Sequence, residues 1–419
     1  MRTRFMMTGM LLCIHPIYAH ADSLQEAMDT AAGKHPMLQM ADQSIAVARG
    51  NLTEQGAYAY NPELSLEPQR RRLNGGGTAN DYYITLSQDI EIGGKRGLRE
   101  QSAQAALDAV SKARENTRQQ LMIEAARAYV TLALAEQAFD LRKQQSDMLK
   151  KVSHAVALQL KLGQSSQLDA NLAQSAYSSA LNATTVARQF LTQSRQAYLI
   201  ALGRNGPMQT QGQGKSSGLK LPELLTNWQP PTDAYKVALE SRPDLSALRS
   251  KLTQSTAQAD LASVSRIPDI SLSAMTGREA GENLIKFGIT IPFPVLNSHQ
   301  GAYRAALAQK ERVNTGLEWS TQQLRYAVES AIANHANAMR ALSGIIRSNM
   351  QQSAEDTIKL AQKAYDAGEL DLEELVVHIR QGLDARMTAL EIIKQAWLAR
   401  IRLARVLGHP EYILKGIQS

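Results

Sequence analysis

The sequence repeats a set of prolines and glycines after an interval of about 205 residues. Four landmarks keep this interval; in the first and second copies they are His35-Pro36 and Arg242-Pro243, Asn61-Pro62 and Ile267-Pro268, Gly163 and Gly368, and Leu202-Gly203 and Leu407-Gly408. Side-chain identity between the copies is low, so the match lies in residues that restrict or release the backbone. The chain is therefore predicted to contain two tandem copies of one structural unit.

Each copy contains a long segment without strong helix breakers. No proline or glycine occurs from Leu98 to Leu162, which predicts one helix about 100 Å long at about 1.5 Å per residue. The second copy matches it from Ala302 to Ala367, interrupted only by Gly316 and Gly344. Helices of this length are typical of a coiled coil, a helical repeat or a tube. A further helix of about 35 residues follows each segment, which predicts two antiparallel helical hairpins with tips at Gly163 and Gly368.

Two pairs of short segments alternate between apolar and polar residues. The predicted strands lie near residues 62–72, 81–92, 268–276 and 284–294. Strict period-two alternation gives a strand one apolar and one polar face, and glycine-bearing loops at 74–80 and 276–281 join each pair. About ten residues is also the length of a tilted membrane strand. Each copy is thus predicted to fold as one α-β-β-α-α repeat.

Four strands are too few to close a membrane barrel. An eight-stranded barrel is about the smallest that side chains fill, and open strand edges in lipid cost several kcal/mol for each unpaired backbone group. The strands are therefore expected to pair with those of other copies, and three protomers would supply twelve. The predicted fold class is mainly α with a membrane β-barrel portion, in which a trimer forms a 12-stranded β-barrel and a long α-helical tunnel. The alternative is a soluble sandwich or small barrel capping a helical bundle.

Residues 1–21 have the pattern of a secretory signal peptide. Arg2 and Arg4 supply the positive charge, an apolar run follows, and Ala19-His20-Ala21 is a cleavage site. The only cysteine, Cys13, lies inside this segment, and Leu11-Leu12 before it do not fit a lipid-attachment site. The mature chain would have no cysteine, so its stability must come from packing alone.

The remaining chain divides at changes in composition. Residues 22–203 and 233–408 are predicted to be the two repeats, 204–232 a linker rich in Gly, Gln, Ser and Pro, and 409–419 a C-terminal tail. Leu221 to Trp228 is a candidate short helix inside the linker. The net charge of +7 is too small to argue for nucleic acid. The scattered histidines and the lack of nucleotide, zinc or redox motifs predict no enzyme, no cofactor and no metal site.

The strand-to-helix segments resemble those of TolC-type outer-membrane efflux channels. Leu86 to Arg96, with the sequence Leu-Ser-Gln-Asp-Ile-Glu-Ile-Gly-Gly-Lys-Arg, resembles the CzcC-like, heavy-metal-associated branch, and Ile291-Pro292-Phe293-Pro294 with Asn297 resembles the matching segment of the second repeat. The resemblance implies a homotrimer in the outer membrane of a Gram-negative bacterium, with a periplasmic helical extension. It also implies contact with outer-membrane lipid, a periplasmic adaptor protein and an inner-membrane pump, commonly of the RND type.

The resemblance also suggests candidate site residues. Asp169 and Glu374, each six residues past a tip glycine, match family carboxylate positions at a periplasmic aperture, where a threefold axis would form charged rings. Helix-start capping is the structural alternative, because negative charge is favourable there. Val377 and Leu370 stand where the family has a second carboxylate and an arginine.

Two further groups of residues are singled out for their place in the predicted barrel. The resemblance implies that Gly93, Gly94, Lys95 and Arg96 form a structural strand-to-helix junction, with snorkelling of the two cations at the lipid interface as the alternative. Arg70-Arg71-Arg72 would fall near the outer mouth, where contact with anionic lipopolysaccharide and a solvated loop are both open.

The predicted function is the outer-membrane exit duct of a tripartite efflux system that passively conducts solute. Heavy-metal cations are one candidate solute. The alternatives are the exit duct of a type I protein secretion system, which the same fold could serve, and a periplasmic adaptor or coiled-coil scaffold without a pore.

Overall fold

The computed structural model describes residues 23–72, 75–204 and 219–418. The predicted signal peptide and residues 205–218 of the predicted linker lie outside these residues. The first repeat contains α1 (Leu24–Lys34), α2 (Pro36–Gly56), β1 (Glu63–Arg72), β2 (Thr78–Ile90), α3 (Lys95–Lys161) and α4 (Gln167–Ala201). After β3 (Glu223–Leu224), the second repeat contains α5 (Ala234–Ser241), α6 (Pro243–Val264), β4 (Ile270–Glu279), β5 (Glu282–Thr290), α7 (Gln300–Ser348), α8 (Met350–Asp366) and α9 (Leu372–Leu407). A 3-10 turn (Pro410–Ile413) and β6 (Ile417–Gln418) end the described chain.

The tandem organisation predicted from the sequence is confirmed, with one difference at the start of each repeat. The predicted first helix is divided in both copies, into α1 and α2 and into α5 and α6. Pro36 and Pro243 each take the first position of the second segment, where the missing proline N–H has no helical partner to lose. The proline landmarks therefore mark a bend that starts a new helix.

The long helix is continuous in the first repeat and divided in the second. α3 runs for 67 residues without a break, as predicted. In the second repeat the break falls at Asn349, whose left-handed backbone (φ 48°) separates α7 from α8. Gly316 and Gly344, the two glycines within this segment of the sequence, both lie inside α7 and do not break it. A single glycine costs a helix only about 1 kcal/mol, whereas asparagine is one of the few residues that adopt the left-handed region readily.

The four longer strands form one antiparallel sheet in the order β1-β2-β4-β5. The register places Leu64 opposite Leu86, Leu86 opposite Ala274, and Ala274 opposite Phe287. Polar residues extend the ladder beyond the predicted strand ends, because Glu279 still pairs with Glu282. The turn between β4 and β5 is therefore shorter than the predicted loop at 276–281, and β2 begins at Thr78, inside the predicted loop at 74–80.

The apolar face of this sheet is exposed and its two edges are open. Leu64 is 66% exposed, Phe287 84% and Ile289 72%. β1 and β5 are the edge strands, and neither has a second neighbour among the described residues. A monomeric chain thus exposes an apolar surface and unpaired backbone groups in the same place.

The end of the linker packs on the C-terminal tail. β3 pairs with β6, with Leu224 opposite Ile417, and the Tyr129 hydroxyl donates to the Lys220 carbonyl at 2.8 Å. The predicted short helix from Leu221 to Trp228 was wrong, because backbone pairing with the tail takes its place. Ile413 in the tail is fully buried, which anchors this corner on the helices.

Small residues allow the helices to pack closely. Ala125 and Ala126 of α3 and Ala396 and Ala404 of α9 are fully buried. At Gly382 of α9, an added Cβ would lie 2.5 Å from Ile358 Cγ1 of α8. Any larger residue at Gly382 would therefore clash with α8.

Candidate conduit elements: junction, sheet face and hairpin tips

Two glycines turn the chain from β2 into α3. Gly93 and Gly94 both have positive φ, of 78° and 75°, and Gly94 is the N-cap of α3. In the second repeat the N-cap of α7 is His299, also left-handed at φ 55°. Left-handed backbone at both positions is the shared geometry of the strand-to-helix junction, and glycine adopts it at no steric cost.

Lys95 directs its ammonium into this junction. Its Nζ lies 2.6 Å from Asp269 Oδ1 and 2.7 Å from the Ile267 carbonyl oxygen, and its side chain is only 9% exposed. The Tyr60 hydroxyl donates to Asp269 Oδ2 at 3.1 Å. Burial alone would raise the pKa of Asp269, but the hydrogen bond and charge of Lys95 lower it overall. This geometry differs from the snorkelling alternative and joins the two repeats.

Arg96 and the neighbouring Arg99 bind the end of α2. Arg96 Nε donates to the Gly56 carbonyl at 2.7 Å, and its guanidinium carbon lies 4.6 Å from the centre of the Tyr58 ring. Arg99 forms an ion pair with Glu91 and donates to the Ala57 carbonyl at 3.1 Å. The first turn of α3 thus satisfies the carbonyls at the end of α2.

The two hairpin tips have the same backbone structure. Gly163 and Gly368 have φ values of 73° and 79°. The N–H after each glycine closes the helix end, from Gln164 to the Gln159 carbonyl and from Glu369 to the Ala364 carbonyl, both at 2.8 Å. This six-residue closure is the Schellman motif, which requires a left-handed residue at the glycine position.

Asp169 and Glu374 are the third residues of the helices that follow, and each completes a capping box. Asp169 Oδ2 accepts from the Ser166 N–H at 3.1 Å and from the Ser166 hydroxyl at 2.7 Å. Glu374 Oε2 accepts from the Asp371 N–H at 3.2 Å, and the Glu374 N–H donates to Asp371 Oδ1 at 2.8 Å. The hydrogen bonds from Ser166 lower the pKa of Asp169. Both carboxylates therefore hold the helix starts in place.

The structure brings the two tips together in one apolar cluster. Tyr365 of α8 has a raised pKa, first because of burial and then because of the charge of Asp169. Leu370, at the position where a family arginine would stand, packs against the same cluster. The buried members are Leu149, Val152, Val156, Ala173, Ala176, Ala180, Ala361, Leu372, Leu375, Val376 and Ile379.

The polar face of the sheet carries a three-strand ion network. Arg71 of β1 lies 3.1 Å from Asp81 Oδ2 on β2 and 3.7 Å from Glu279 Oε1 on β4. The Ala280 N–H also donates to Asp81 Oδ1 at 2.9 Å. Glu279 is distant from Arg71 in the chain, so only the strand register reveals the full network.

Carboxylates outnumber cations on this face. By strand alternation and register, its cations are Arg71 and Lys286. Its carboxylates are Glu63, Glu67, Asp81, Asp89, Glu279 and Glu282. This face of the sheet therefore carries an excess of negative charge.

A cation that the sequence pattern does not single out is buried beside the linker. Arg400 of α9 is fully buried, and its guanidinium nitrogens have no hydrogen-bond partner within the described residues. The Trp228 ring covers it, and the ring also contacts His335 of α7 with centroids 5.4 Å apart. In the sequence, Arg400 is one of several arginines of α9, and its burial becomes evident only from the position of the linker in the structure.

Two features are absent from the part of the chain that the structure describes, a metal site and a membrane-spanning helix. No group of three or more His, Cys, Asp or Glu residues there is placed to hold a metal ion. None of the described helices has the length and apolar content to cross a membrane.

A sheet with an exposed apolar face, set on long paired helices in two tandem repeats, defines a class of channel proteins. The chain belongs to the outer membrane efflux protein family, whose model matches residues 27–204 and 234–409. It is thus an outer-membrane efflux channel and not an enzyme.

Individual relatives agree with this assignment. The chain is 23% identical to the cobalt-zinc-cadmium resistance protein CzcC of Cupriavidus metallidurans, over 92% of this chain and 90% of the relative. Its fold matches CusC with a TM-score of 0.74 at 20% identity, covering 92% of each chain. It matches the CmeC outer-membrane channel of Campylobacter jejuni with a TM-score of 0.78 at 16% identity, covering 92% and 85%. The predicted resemblance to TolC-type channels of the CzcC-like branch is confirmed.

Proposed function

We propose that three copies of this chain form the exit duct of a tripartite efflux system and passively conduct solute across the periplasm and outer membrane. Residues 1–21 export the chain, residues 22–203 and 233–408 form the two repeats, 204–232 link them, and 409–419 form the tail. A periplasmic adaptor and an inner-membrane pump of the RND type deliver the solute. The duct contributes no catalytic step.

The sheet supports this proposal more directly than any other feature. Its apolar face is exposed and its edge strands β1 and β5 are unpaired, and an open edge in lipid costs several kcal/mol for each backbone group. Pairing β5 of one chain with β1 of the next removes both edges. Three copies of four strands close a barrel of twelve, within the size range of such barrels.

The hairpin tips form the periplasmic aperture in this proposal. Threefold symmetry makes one ring of Asp169 and one of Glu374, and charged rings favour ions of opposite sign. The apolar cluster that joins the tips keeps the rings closed until an adaptor contacts the Gly163 and Gly368 turns. Opening is then an iris-like shift of the hairpins.

Heavy-metal cations are the solute that the surface charge favours. The polar sheet face has an excess of carboxylates, and the tips add two more per chain. The name of the relative CzcC refers to cobalt, zinc and cadmium. A conduit needs weak, repeated attraction rather than a tight binding site.

Cysteine cross-linking tests the closure of the barrel. The only natural cysteine lies in the predicted signal peptide, so any disulfide in the mature chain must form between introduced cysteines. Ser65→Cys on β1 is combined in turn with Leu284→Cys, Lys286→Cys or Thr290→Cys on β5. One of these pairs is expected to give a covalent trimer on a non-reducing gel.

A pair in a central strand provides the matched control. Ser65→Cys with Ser273→Cys on β4, a strand with neighbours on both sides, is expected to give no cross-link between chains. A water-soluble monomer, or no trimer from any edge pair, would contradict the proposal and favour a pore-less adaptor or scaffold.

Planar bilayer recordings then separate the two kinds of duct. An efflux duct for cations is expected to show stepwise, cation-preferring conductance. Bilayer conductance together with secretion of a polypeptide that depends on an ABC exporter would instead identify a type I secretion duct.

A further inference from the structure

Three arginines form a group at the hairpin end of the apolar sheet face. Arg70 and Arg72 of β1 and Arg278 of β4 are all exposed. The register places Arg70 opposite Asn80 and Arg278 opposite Tyr82. All three therefore share a face with the apolar residues, while Arg71 points to the other face. We call them the outer arginine group.

This group lies directly beyond the apolar band. From the Ile90–Ile270 pair to the Tyr82–Arg278 pair the strands run eight residues, or about 27 Å along the strand at about 3.4 Å per residue and about 21 Å of height at a tilt of about 40°. Membrane barrels have an apolar band about 25 Å tall that ends in aromatic residues. Tyr82, which is 47% exposed, occupies that boundary position next to Arg278.

The arginines on the two faces have different partners. Arg71 is held by Asp81 and Glu279 on the polar face. Within the described residues, no carboxylate pairs with any member of the outer arginine group; Arg278 donates only to the Gly281 carbonyl, at 3.4 Å. At these strand ends the arginine on the polar face is paired with carboxylates, whereas the three arginines on the apolar face are not paired with any carboxylate of the described residues.

We propose that the outer arginine group binds the phosphate groups of a phosphorylated glycolipid in the outer leaflet of the membrane. This inference rests on the proposed barrel, which places the group at the headgroup level. The planar guanidinium matches phosphate oxygens with two parallel hydrogen bonds. Because no carboxylate of the described residues pairs with them, all three cations are available to an external anion.

The spacing of the group suits a lipid with more than one phosphate. Arg70 and Arg72 are two residues apart, or about 7 Å along the strand, and Arg278 lies two strands away, or about 10 Å across the sheet. Long arginine side chains extend from these positions along the protein surface. The apolar band below offers a continuous surface for the acyl chains, which a small soluble anion would not use.

Native mass spectrometry of the detergent-solubilised full chain tests the proposal. Diphosphoryl lipid A and its fully dephosphorylated form are titrated separately. The unchanged chain is expected to bind the diphosphoryl form at least tenfold more tightly. Combining Arg70→Ala, Arg72→Ala and Arg278→Ala should abolish this preference.

Single substitutions keep the test informative if the triple variant does not assemble. Arg72→Gln should weaken binding of diphosphoryl lipid A several-fold. Lys286→Gln, an exposed cation on the polar face of the same sheet, should leave it unchanged. Equal affinity of the unchanged chain for both lipids, or equal effects of the two single variants, would overturn the inference.

Flotation with phosphatidylethanolamine vesicles distinguishes this failure from failure of the proposed function. These vesicles contain no lipid A. If the chain inserts and conducts there but shows no preference for the phosphorylated lipid, the proposed duct stands. Only the lipid site at the outer arginine group is then ruled out. A chain that does not insert contradicts the duct itself.

Discussion

The guanidinium carbon of Arg400 lies 3.6 Å from the centre of the Trp228 ring. This contact fastens the end of the linker to α9. Burial lowers the pKa of Arg400 to about 10, so the side chain stays charged at neutral pH. The aromatic face compensates in part for the missing hydrogen bonds, since a desolvated cation–π contact contributes about 2 kcal/mol or more.

Removing the ring is expected to destabilise the chain through this cation. Trp228→Ala should lower the stability of the detergent-solubilised protein by about 2 kcal/mol or more, measured as a reduced Tm. Trp228→Phe, which keeps an aromatic face, should lose less. In an Arg400→Met background the effect of Trp228→Ala should shrink. If Trp228→Ala lowers the Tm as much in the Arg400→Met variant as in the unchanged chain, the loss of stability comes from packing alone.

His335 is expected to make stability depend on pH. Burial, and then the charge of Arg400, lower its pKa to about 4, whereas an unfolded histidine titrates near 6.5. Between these values the unfolded chain binds the extra proton. Stability from this group is therefore complete above about pH 6.5 and falls as pH drops towards 4, by up to about 3 kcal/mol.

Urea unfolding between pH 4 and 7 measures this dependence. His335→Gln should remove most of the slope, and His154→Gln, at an exposed position on α3, should leave it intact. An identical slope in the His335→Gln variant would show that other groups produce it.

The Lys95–Asp269 pair is expected to hold the two repeats together at the junction. Asp269→Asn leaves a buried ammonium without its counter-ion, which should cost about 3 kcal/mol. Adding Lys95→Met should restore part of this loss, as seen in a double-mutant cycle of Tm values. Asp42→Asn breaks the more exposed Arg114–Asp42 pair and should cost less than about 1 kcal/mol. Equal losses from Asp269→Asn and Asp42→Asn would mean that burial adds nothing at the junction.

The tip carboxylates are expected to set ion preference in addition to capping their helices. Asp169→Asn combined with Glu374→Gln should reduce the cation preference of single channels, measured as a smaller reversal potential in a salt gradient. Ser166→Ala provides the control, because it removes a capping partner and keeps the carboxylate. If Ser166→Ala lowers the cation preference as much as the double change, Asp169 and Glu374 act only as helix caps.

Local backbone signals allowed much of the fold to be predicted from the sequence. Glycines at Gly163 and Gly368 mark both tips because only a left-handed residue closes the helix there, and alternation identified all four long strands. The helix break at Asn349 was missed, since asparagine is far less diagnostic than proline. The segment from Leu221 to Trp228 was wrongly predicted as a short helix, because its pairing partner is the distant C-terminal tail.

The site was less predictable because its contacts join distant parts of the chain. Lys95 was singled out, but its partner Asp269 lies 174 positions away. The Arg71 network and the outer arginine group both follow from strand register, which separates Arg71 from its neighbours Arg70 and Arg72. Capping by Asp169 was an alternative from the sequence, whereas the joining of the two tips required tertiary structure.

The two repeats differ mechanically although they share one plan. The first contains the unbroken 67-residue helix α3, and the second contains two helices, α7 and α8, that meet at Asn349. In the proposed trimer, three continuous long helices would alternate with three that are interrupted at Asn349. Any widening of the periplasmic end would then start in three of its six hairpins, with the other three serving as the fixed frame.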